Sequence, residues 1–321
     1  MTQAALLPTL EGRVVLVTGG SGFLGAALVQ RLLGNNVAEV RVLTRKQAVS
    51  SQVGANLGRP PRFVVGALND LPRVREAVRG VHVVFHLAAM KSVELCEANP
   101  TEAVDTNVRG TAAVIETALG EPALERFVAV SSSQASTPTS VYGLTKALVE
   151  RMVANASGHS AADFGTVRCG NLWGSPGSVL DRWQEVARTG SELLVTDPQM
   201  TRFIMLRAEA VDLIVEAASR DMAGGILCRV MPAYVLADLA AEIAESHRLK
   251  QRVTGAKPGE KLHEDLVSEA EAPFADRDRE FFTITPGRRG SGTKPFDSSK
   301  ARRVTRTELR QLLNSASAGP S

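Results

Sequence analysis

A tyrosine and a lysine stand four residues apart in this chain, at Tyr142 and Lys146, within the run Tyr-Gly-Leu-Thr-Lys. On a helix that spacing puts both side chains on one face. An ammonium held beside a phenol lowers the phenol's pKa. The phenolate can then take the proton of an alcohol as general base while hydride leaves the carbon. Ser132 ends an apolar run just upstream and is placed to share that proton. Alone, the pair also fits an amphipathic helix that happens to carry both residues. The chemistry needs a hydride acceptor nearby, and a second motif supplies a place for one.

That motif is Thr18-Gly19-Gly20-Ser21-Gly22-Phe23-Leu24-Gly25. It follows a β-branched and aliphatic run at 13–17 and opens an apolar-periodic segment at 23–33. Gly19 permits a tight turn, Gly22 lets the backbone approach a pyrophosphate, and Gly25 lets helix and strand pack closely. The phosphates then meet a helix N-terminus, where free N–H groups and the dipole favour anions. A bare glycine triplet is often only a turn, but a strand before it and a helix after it are the context of a dinucleotide site. Phe23 and Leu24 belong to the same expected site, with Leu87, Ala88 and Ala89 after a later strand and Lys146 itself.

The end of the second strand reads Thr44-Arg45-Lys46, with no carboxylate to hold a ribose 2′-hydroxyl. A guanidinium and an ammonium suit a 2′-phosphate. The expected cofactor is NADP, with NAD the alternative if Arg45 and Lys46 are ordinary exposed charges.

The elements that must position these groups follow from hydrophobic rhythm. Strands are expected at 13–17, 40–43, 63–65, 81–85 and 127–130, with helices at 71–78, 100–119 and 142–156. Near-continuously apolar strands joined by helices argue a parallel sheet covered on both faces. Right-handed crossovers make it a doubly wound α/β fold of the Rossmann type. After Gly170 turn-rich stretches interrupt helices at 208–218 and 236–246, which reads as a smaller α/β substrate lobe. The expected division is a dinucleotide-binding domain at 1–170, an interleaved substrate lobe at 171–314 and a disordered tail at 315–321. The Gly-, Ser- and Pro-rich stretch 286–299 reads as a mobile loop, and a last helix is expected at 307–313.

Composition narrows the classes. With 321 residues, 44% hydrophobic and 22% charged, the chain can bury a large core. A net charge of +3 is too small to imply nucleic acid. The late basic cluster (Arg288, Arg289, Lys294, Lys300, Arg302, Arg303, Arg306) has no aromatic residues between its charges to stack bases, so it reads as a solvated face. Cys96, Cys169 and Cys228 form no paired motif, which fits reduced thiols in a cytoplasm and no metal. There is no signal-peptide pattern, and no apolar run reaches the roughly 18 residues of a membrane span.

Taken together, these motifs resemble those of the extended short-chain dehydrogenase/reductases. More narrowly the chain is similar to the soluble nucleotide-sugar epimerases and 4,6-dehydratases of the polysaccharide-biosynthesis type, above all the inverting UDP-N-acetylglucosamine 4,6-dehydratases. The likeness spans nearly the whole chain: TGGSGFLG, HLAAMKSVELCEANPTEAVDTNVRGT at 86–111, the serine-to-lysine stretch ending at Lys146, VRCGNLWGSPGSV at 167–179, TDPQMTRF at 196–203 and PGEKLHE at 258–264. The resemblance implies that Ser132, Tyr142 and Lys146 do the redox chemistry and that Asn107 orders the lysine. It implies that Lys91 lies near the nicotinamide and sugar, that Asn171 contacts the sugar nucleotide, and that Arg202 and Lys261 lie near its diphosphate. It also implies a homo-oligomer formed through helices 100–119 and 142–156.

One departure bears on the reaction. The dehydratases end the catalytic strand in Ser-Thr-Asp-Lys, the aspartate protonating the leaving C6 hydroxyl and the lysine acting at C5. Here those places hold Ser133 and Gln134, still expected to touch substrate, and neither can trade a proton near neutral pH as a carboxyl or amine can. The aspartate that holds adenine after the third strand is replaced by Ala67. The expected activity is therefore C4 oxidation leading to epimerisation. The alternatives are a dehydratase using Lys91 or Glu94, a sugar ketoreductase, and a non-catalytic dinucleotide sensor, the last disfavoured by the intact Tyr–Lys pair.

Overall fold

A computed structural model describes residues 10–45, 59–190 and 192–317; Lys46 lies outside them. The first half runs β1 (Val14–Thr18), α1 (Phe23–Leu33), β2 (Glu39–Thr44), β3 (Arg62–Val65), α2 (Leu71–Val78), β4 (Val83–His86), α3 (Val93–Ala98), α4 (Pro100–Val104), α5 (Gly110–Leu119), β5 (Arg126–Ser132), α6 (Val141–Ser157) and β6 (Asp163–Cys169). The second half runs β7 (Asn171–Leu172), α7 (Val179–Thr189), β8 (Leu193–Val195), β9 (Thr201–Met205), α8 (Arg207–Ser219), β10 (Ile226–Arg229), β11 (Ala233–Val235), α9 (Leu236–His247), β12 (Gln251–Val253), β13 (Asp265–Val267), β14 (Ala275–Arg277), β15 (Phe281–Ile284), β16 (Phe296–Asp297) and α10 (Arg306–Ser317).

The main sheet has nine strands in the order β14-β15-β10-β6-β5-β4-β1-β2-β3. Pairing is parallel from β10 to β3, and β15 and β14 close the other edge antiparallel. The chain builds outward from β1 through β2 and β3, then returns to lay β4, β5 and β6 on the other side. That reversal opens a crevice at the carboxyl ends of β1 and β4, the place where a doubly wound sheet binds ligands.

The strands are buried because both faces are covered. One cluster packs α1 and α8 on the sheet through Leu28, Leu32, Leu213 and Ile214; another packs α2, α5 and α6 through Val74, Ile115 and Val149. In the second, Phe127 and Phe164 stack at 4.9 Å across neighbouring strands. A third cluster joins Trp183, Tyr234, Leu239 and Leu309 into the core of the smaller lobe.

Three features refine the sequence reading. From the second half of the chain, β10, β14 and β15 complete the main sheet and α8 packs on it. The stretch 286–299 is anchored at its far end, where Phe296 is buried against Phe203 and Phe282 and β16 pairs with β13. The last helix continues through Ser317, into the tail expected to be disordered from Ser315, since Leu312 and Leu313 lean on the lobe's core.

The late basic cluster is partly neutralised within the fold. Lys300 pairs with Asp297, Arg302 with Glu308, and Arg306 with Glu242 and Glu245.

Candidate active site

The crevice is walled by Gly19, Gly22, Phe23, Leu24 and Gly25 on one side and by Leu87, Ala88 and Ala89 on the other, with Arg45 at the far end of β2. Gly19 adopts φ +69°, the left-handed turn expected of it. A Cβ on Gly25 would stand 2.2 Å from the Gly19 carbonyl oxygen, so only glycine lets α1 start this close to β1. No side chain caps α1 at Gly22, which leaves the amides of its first turn available to an anion. The glycine positions therefore do what a dinucleotide cradle requires.

A buried polar chain fixes the two strand ends around this cradle. Thr18 Oγ1 lies 2.9 Å from His86 Nδ1 and accepts from the Ala88 amide, while His86 Nε2 lies 2.9 Å from Thr111 Oγ1. Burial, helped by the charge on Lys146, holds His86 down at about 3, so the ring is a neutral spacer.

Tyr142, Lys146, Ser132, Ser133 and Gln134 all line the same crevice. α6 begins here because Ser140 caps it, its hydroxyl accepting from the Gly143 amide at 3.0 Å. A Cβ on Gly143 would lie 2.6 Å from the Gln134 carbonyl oxygen. That close approach is what lets the first turn of α6 bring Tyr142 against the end of β5. Ser132 hydrogen-bonds the Tyr142 phenol, and Lys146 Nζ donates to the Val130 carbonyl at 2.8 Å.

The electrostatics differ from the sequence expectation in one respect. Burial pushes the Tyr142 phenol above its ordinary value, and the Ser132 hydrogen bond opposes this. Burial also brings Lys146 down to about 8, against the pull of Cys169 and Glu150. The protein alone thus keeps the phenol protonated.

Asn107 sits in a π-helical turn, Asp105–Arg109, between α4 and α5. Its amide both accepts from the Met90 N–H, at 2.7 Å, and donates to the Met90 carbonyl, at 3.0 Å. It also donates to Thr145 Oγ1 at 3.0 Å. It thereby ties the loop after β4 to Thr145, the residue before Lys146.

The expected substrate residues divide. Lys91, Ser133, Gln134 and Asn171 line the crevice, and Lys91 Nζ also donates to the Pro176 carbonyl at 3.2 Å. Arg202 and Lys261 do not line it. Arg202 bonds the Thr201 carbonyl at 2.8 Å and lies 3.4 Å from Glu264, while Lys261 bonds Asp265 at 3.2 Å. Glu94 is held by Arg182 and Lys257, which keep its carboxyl below the usual range.

Sequence reasoning missed Cys169, which lines the crevice at the end of β6 with its thiol pushed up to about 12 by burial, and Glu264, buried directly behind Ser133. The PGEKLHE motif pointed to the segment, but nothing in its residue types showed which side chain turns inward. Asn69 and Leu68 line the end of the crevice beside Ala67. Among the described residues, no group of three or more His, Cys, Asp or Glu side chains could hold a metal.

A glycine-lined cradle meeting a Ser–Tyr–Lys set at the switch point of a doubly wound sheet defines an extended short-chain dehydrogenase/reductase. The chain belongs to the family described as polysaccharide biosynthesis protein, whose model matches residues 15–286. It is a nucleotide-sugar-modifying enzyme of the epimerase/dehydratase group. It is 34% identical over 284 residues to a UDP-glucose 4-epimerase of Rickettsia rickettsii, covering 85% of this chain and 82% of that one. It is 34% identical over 323 residues to a Methanocaldococcus jannaschii protein named as an uncharacterized membrane protein, covering 96% and 97%. Among the described residues of this chain, no helix is long and apolar enough to cross a membrane. The solved structure of Pen from Bacillus thuringiensis matches with a TM-score of 0.90 and 31% identity, covering 97% of this chain and 99% of that one.

Proposed function

We propose that the protein is a 4-epimerase of a nucleotide-linked hexose, UDP-N-acetylhexosamine-like, using a nicotinamide dinucleotide with NADP preferred. When bound, the oxidised dinucleotide supplies a hydride acceptor and a positive charge beside Tyr142 and Lys146. That charge offsets the burial that holds the phenol protonated. Tyr142, as a phenolate stabilised by the Lys146 ammonium, would then take the C4 hydroxyl proton, shared with Ser132, and become the neutral phenol. The sugar ketone turns and is reduced from its other face, with Tyr142 returning the proton.

The observation that carries epimerisation over dehydration is the state of the strand end. The Ser133 hydroxyl donates to Glu264 at 2.7 Å, and Gln134 accepts from Ser140 at 3.1 Å. Neither offers an acid to a leaving hydroxyl. A dehydratase reading keeps one support, Lys91, which lines the crevice and is lowered by burial against the pull of Asp181. Glu94, held as a carboxylate by two cations, is a poor acid. Incubation with UDP-N-acetylglucosamine in deuterated water, read by mass spectrometry and proton NMR, decides. The expected product has unchanged mass and inverted C4. Loss of water would replace this reading with the dehydratase.

NADP preference rests on Arg45, exposed and lining the crevice, beside Ser21 and Thr44, whose hydroxyls lie 2.9 Å apart. Arg45→Ala is expected to weaken NADP roughly tenfold or more, the magnitude of losing a charge-assisted hydrogen bond, and NAD less than about twofold. Equal weakening of both in a binding titration would remove the 2′-phosphate assignment. The homo-oligomer is supported by Leu144 and Leu148, one turn apart on α6 and 57% and 48% exposed, beside exposed Leu95.

A further inference from the structure

We propose that Glu264 is a positioning residue that fixes the hydrogen-bond polarity of Ser133 and Asn171 at the sugar end of the crevice, making these two side chains accept rather than donate. The proposal rests on the nucleotide-sugar reading above and adds to it the chemical feature that the sugar must present.

Glu264 is buried, 4% exposed, and does not line the crevice. It stands behind two residues that do. Its Oε2 accepts the Ser133 hydroxyl at 2.7 Å, and its Oε1 accepts Asn171 Nδ2 at 3.4 Å. Arg202 Nε lies 3.4 Å from the same Oε1, and the remaining Arg202 nitrogens bond the Thr201 and Leu262 carbonyls and Met200 Sδ. The carboxylate is rigidly seated. Its backbone N–H donates to Ser298 Oγ at 2.9 Å, Ser298 N donates back to its carbonyl at 2.8 Å, and Ser298 is fully buried.

A carboxylate accepts only. It therefore draws the Ser133 hydrogen backward and leaves lone pairs facing the crevice. It draws Asn171 Nδ2 the same way, which turns Oδ1 away from the carboxylate. Ser133 Oγ and Asn171 Oδ1 thus present acceptors, and the group that fits them is a sugar hydroxyl donating its hydrogen. A ring substituent without a donor would set its own lone pairs against these oxygens, and an unpaired buried polar atom is costly.

The carboxylate's two sides make a sharp test. Asn171 and Arg202 both address Oε1. In Glu264→Gln the amide oxygen will take that place, and the NH2 group will replace Oε2, facing Ser133. The serine must then accept from that NH2 group, and its own hydrogen is released toward the crevice. The polarity of that place inverts with no change of shape.

The experiment measures binding of UDP, UDP-N-acetylglucosamine and its 3-, 4- and 6-monofluoro analogues, each lacking one hydroxyl donor, by calorimetry. The protein is the full chain with its dinucleotide, carrying Tyr142→Phe to prevent turnover. One analogue is expected to bind about tenfold or more weaker than the parent sugar nucleotide. Adding Glu264→Gln or Ser133→Ala should bring that analogue within about twofold of the parent. Glu264→Asp, still an acceptor, should keep the discrimination. UDP and dinucleotide affinities should not move. The proposal is overturned if no analogue is singled out, if Glu264→Gln weakens every sugar nucleotide and UDP alike, or if it does not fold while Ser133→Ala keeps the full discrimination. Failure of the nucleotide-sugar reading looks different: the parent would bind no tighter than UDP, which overturns both.

Discussion

Tyr142→Phe is expected to lower turnover by roughly a thousandfold while leaving dinucleotide affinity within about twofold, since positioned proton transfer contributes on the order of 10²–10⁴. The hydroxyl is the only atom lost, and the ring stays in place. The neighbours that hold α6, Ser140 at its cap and Gly143 against the Gln134 carbonyl, do not touch the phenol oxygen. Ser132 keeps the Gln134 amide as a partner, so the cost to stability should stay near about 1 kcal/mol. The dinucleotide cradle is a separate wall, built from α1 and the end of β4. Steady-state rates with UDP-N-acetylglucosamine, paired with a fluorescence titration of the dinucleotide, measure both quantities. Turnover surviving within tenfold of the parent would take the general-base role away from Tyr142. A parallel loss of dinucleotide affinity would mean that the ring, not its proton, is what the site needs.

The redox half of this site was legible in the sequence because its logic is local. Gly19, Gly22 and Gly25 mark their own strand–turn–helix context, and four residues between Tyr142 and Lys146 fix one helical face. Strands 40–43 and 63–65 and the helix at 71–78 read out within a residue or two, since the strands are short apolar runs and the helix buries one apolar face on the sheet. What was not legible depends on contacts between distant segments. Glu264 meets Ser133 across 131 positions, and nothing short of the fold says that this glutamate, rather than Lys261, turns inward. Arg202 looks like a phosphate ligand by charge; in the fold its Nη1 donates to the Thr201 and Leu262 carbonyls and its Nε lies 3.4 Å from Glu264, contacts that its own stretch of sequence does not show. The Tyr142 phenol is another such case. Spacing places an ammonium nearby, while burial, which a sequence does not display, dominates its pKa. The stretch 286–299 is a further case: its glycines and serines suggest mobility, and they do not show that one aromatic, Phe296, finds a slot between Phe203 and Phe282.

The largest stability effect should come from a residue with no place in the chemistry. Arg168, on β6 and 1% exposed, carries a buried charge beneath the crevice. It grips Glu150 of α6 through Nε at 2.8 Å and Nη2 at 2.6 Å, bonds the Leu266 carbonyl at 2.9 Å, and reaches Glu271 at 3.0 Å through Nη1. Ser131 adds a bond to Glu150, and Ser268 two to Glu271. The network ties β5, β6 and α6 to the segment between β13 and β14. Arg168→Met keeps the volume but leaves two carboxylates desolvated and unpaired, which should cost about 3–5 kcal/mol at pH 7. The sign with pH follows from Glu271. Burial would raise its carboxyl, but the Arg168 guanidinium and Ser268 outweigh that and hold it at about 2, against 4.5 ordinarily. A depressed carboxyl stabilises the fold above its unfolded value, and the contribution is lost as pH falls toward about 2. In the variant the burial remains and the guanidinium is gone, so Glu271 takes up a proton readily and stops penalising the fold. The gap between the two proteins should therefore be widest near neutrality and narrow steadily below about pH 5. Urea melts of both proteins from pH 7 down to pH 4 measure it. A gap that is constant, or that widens in acid, would show that Arg168 acts by packing its stem rather than by its charge.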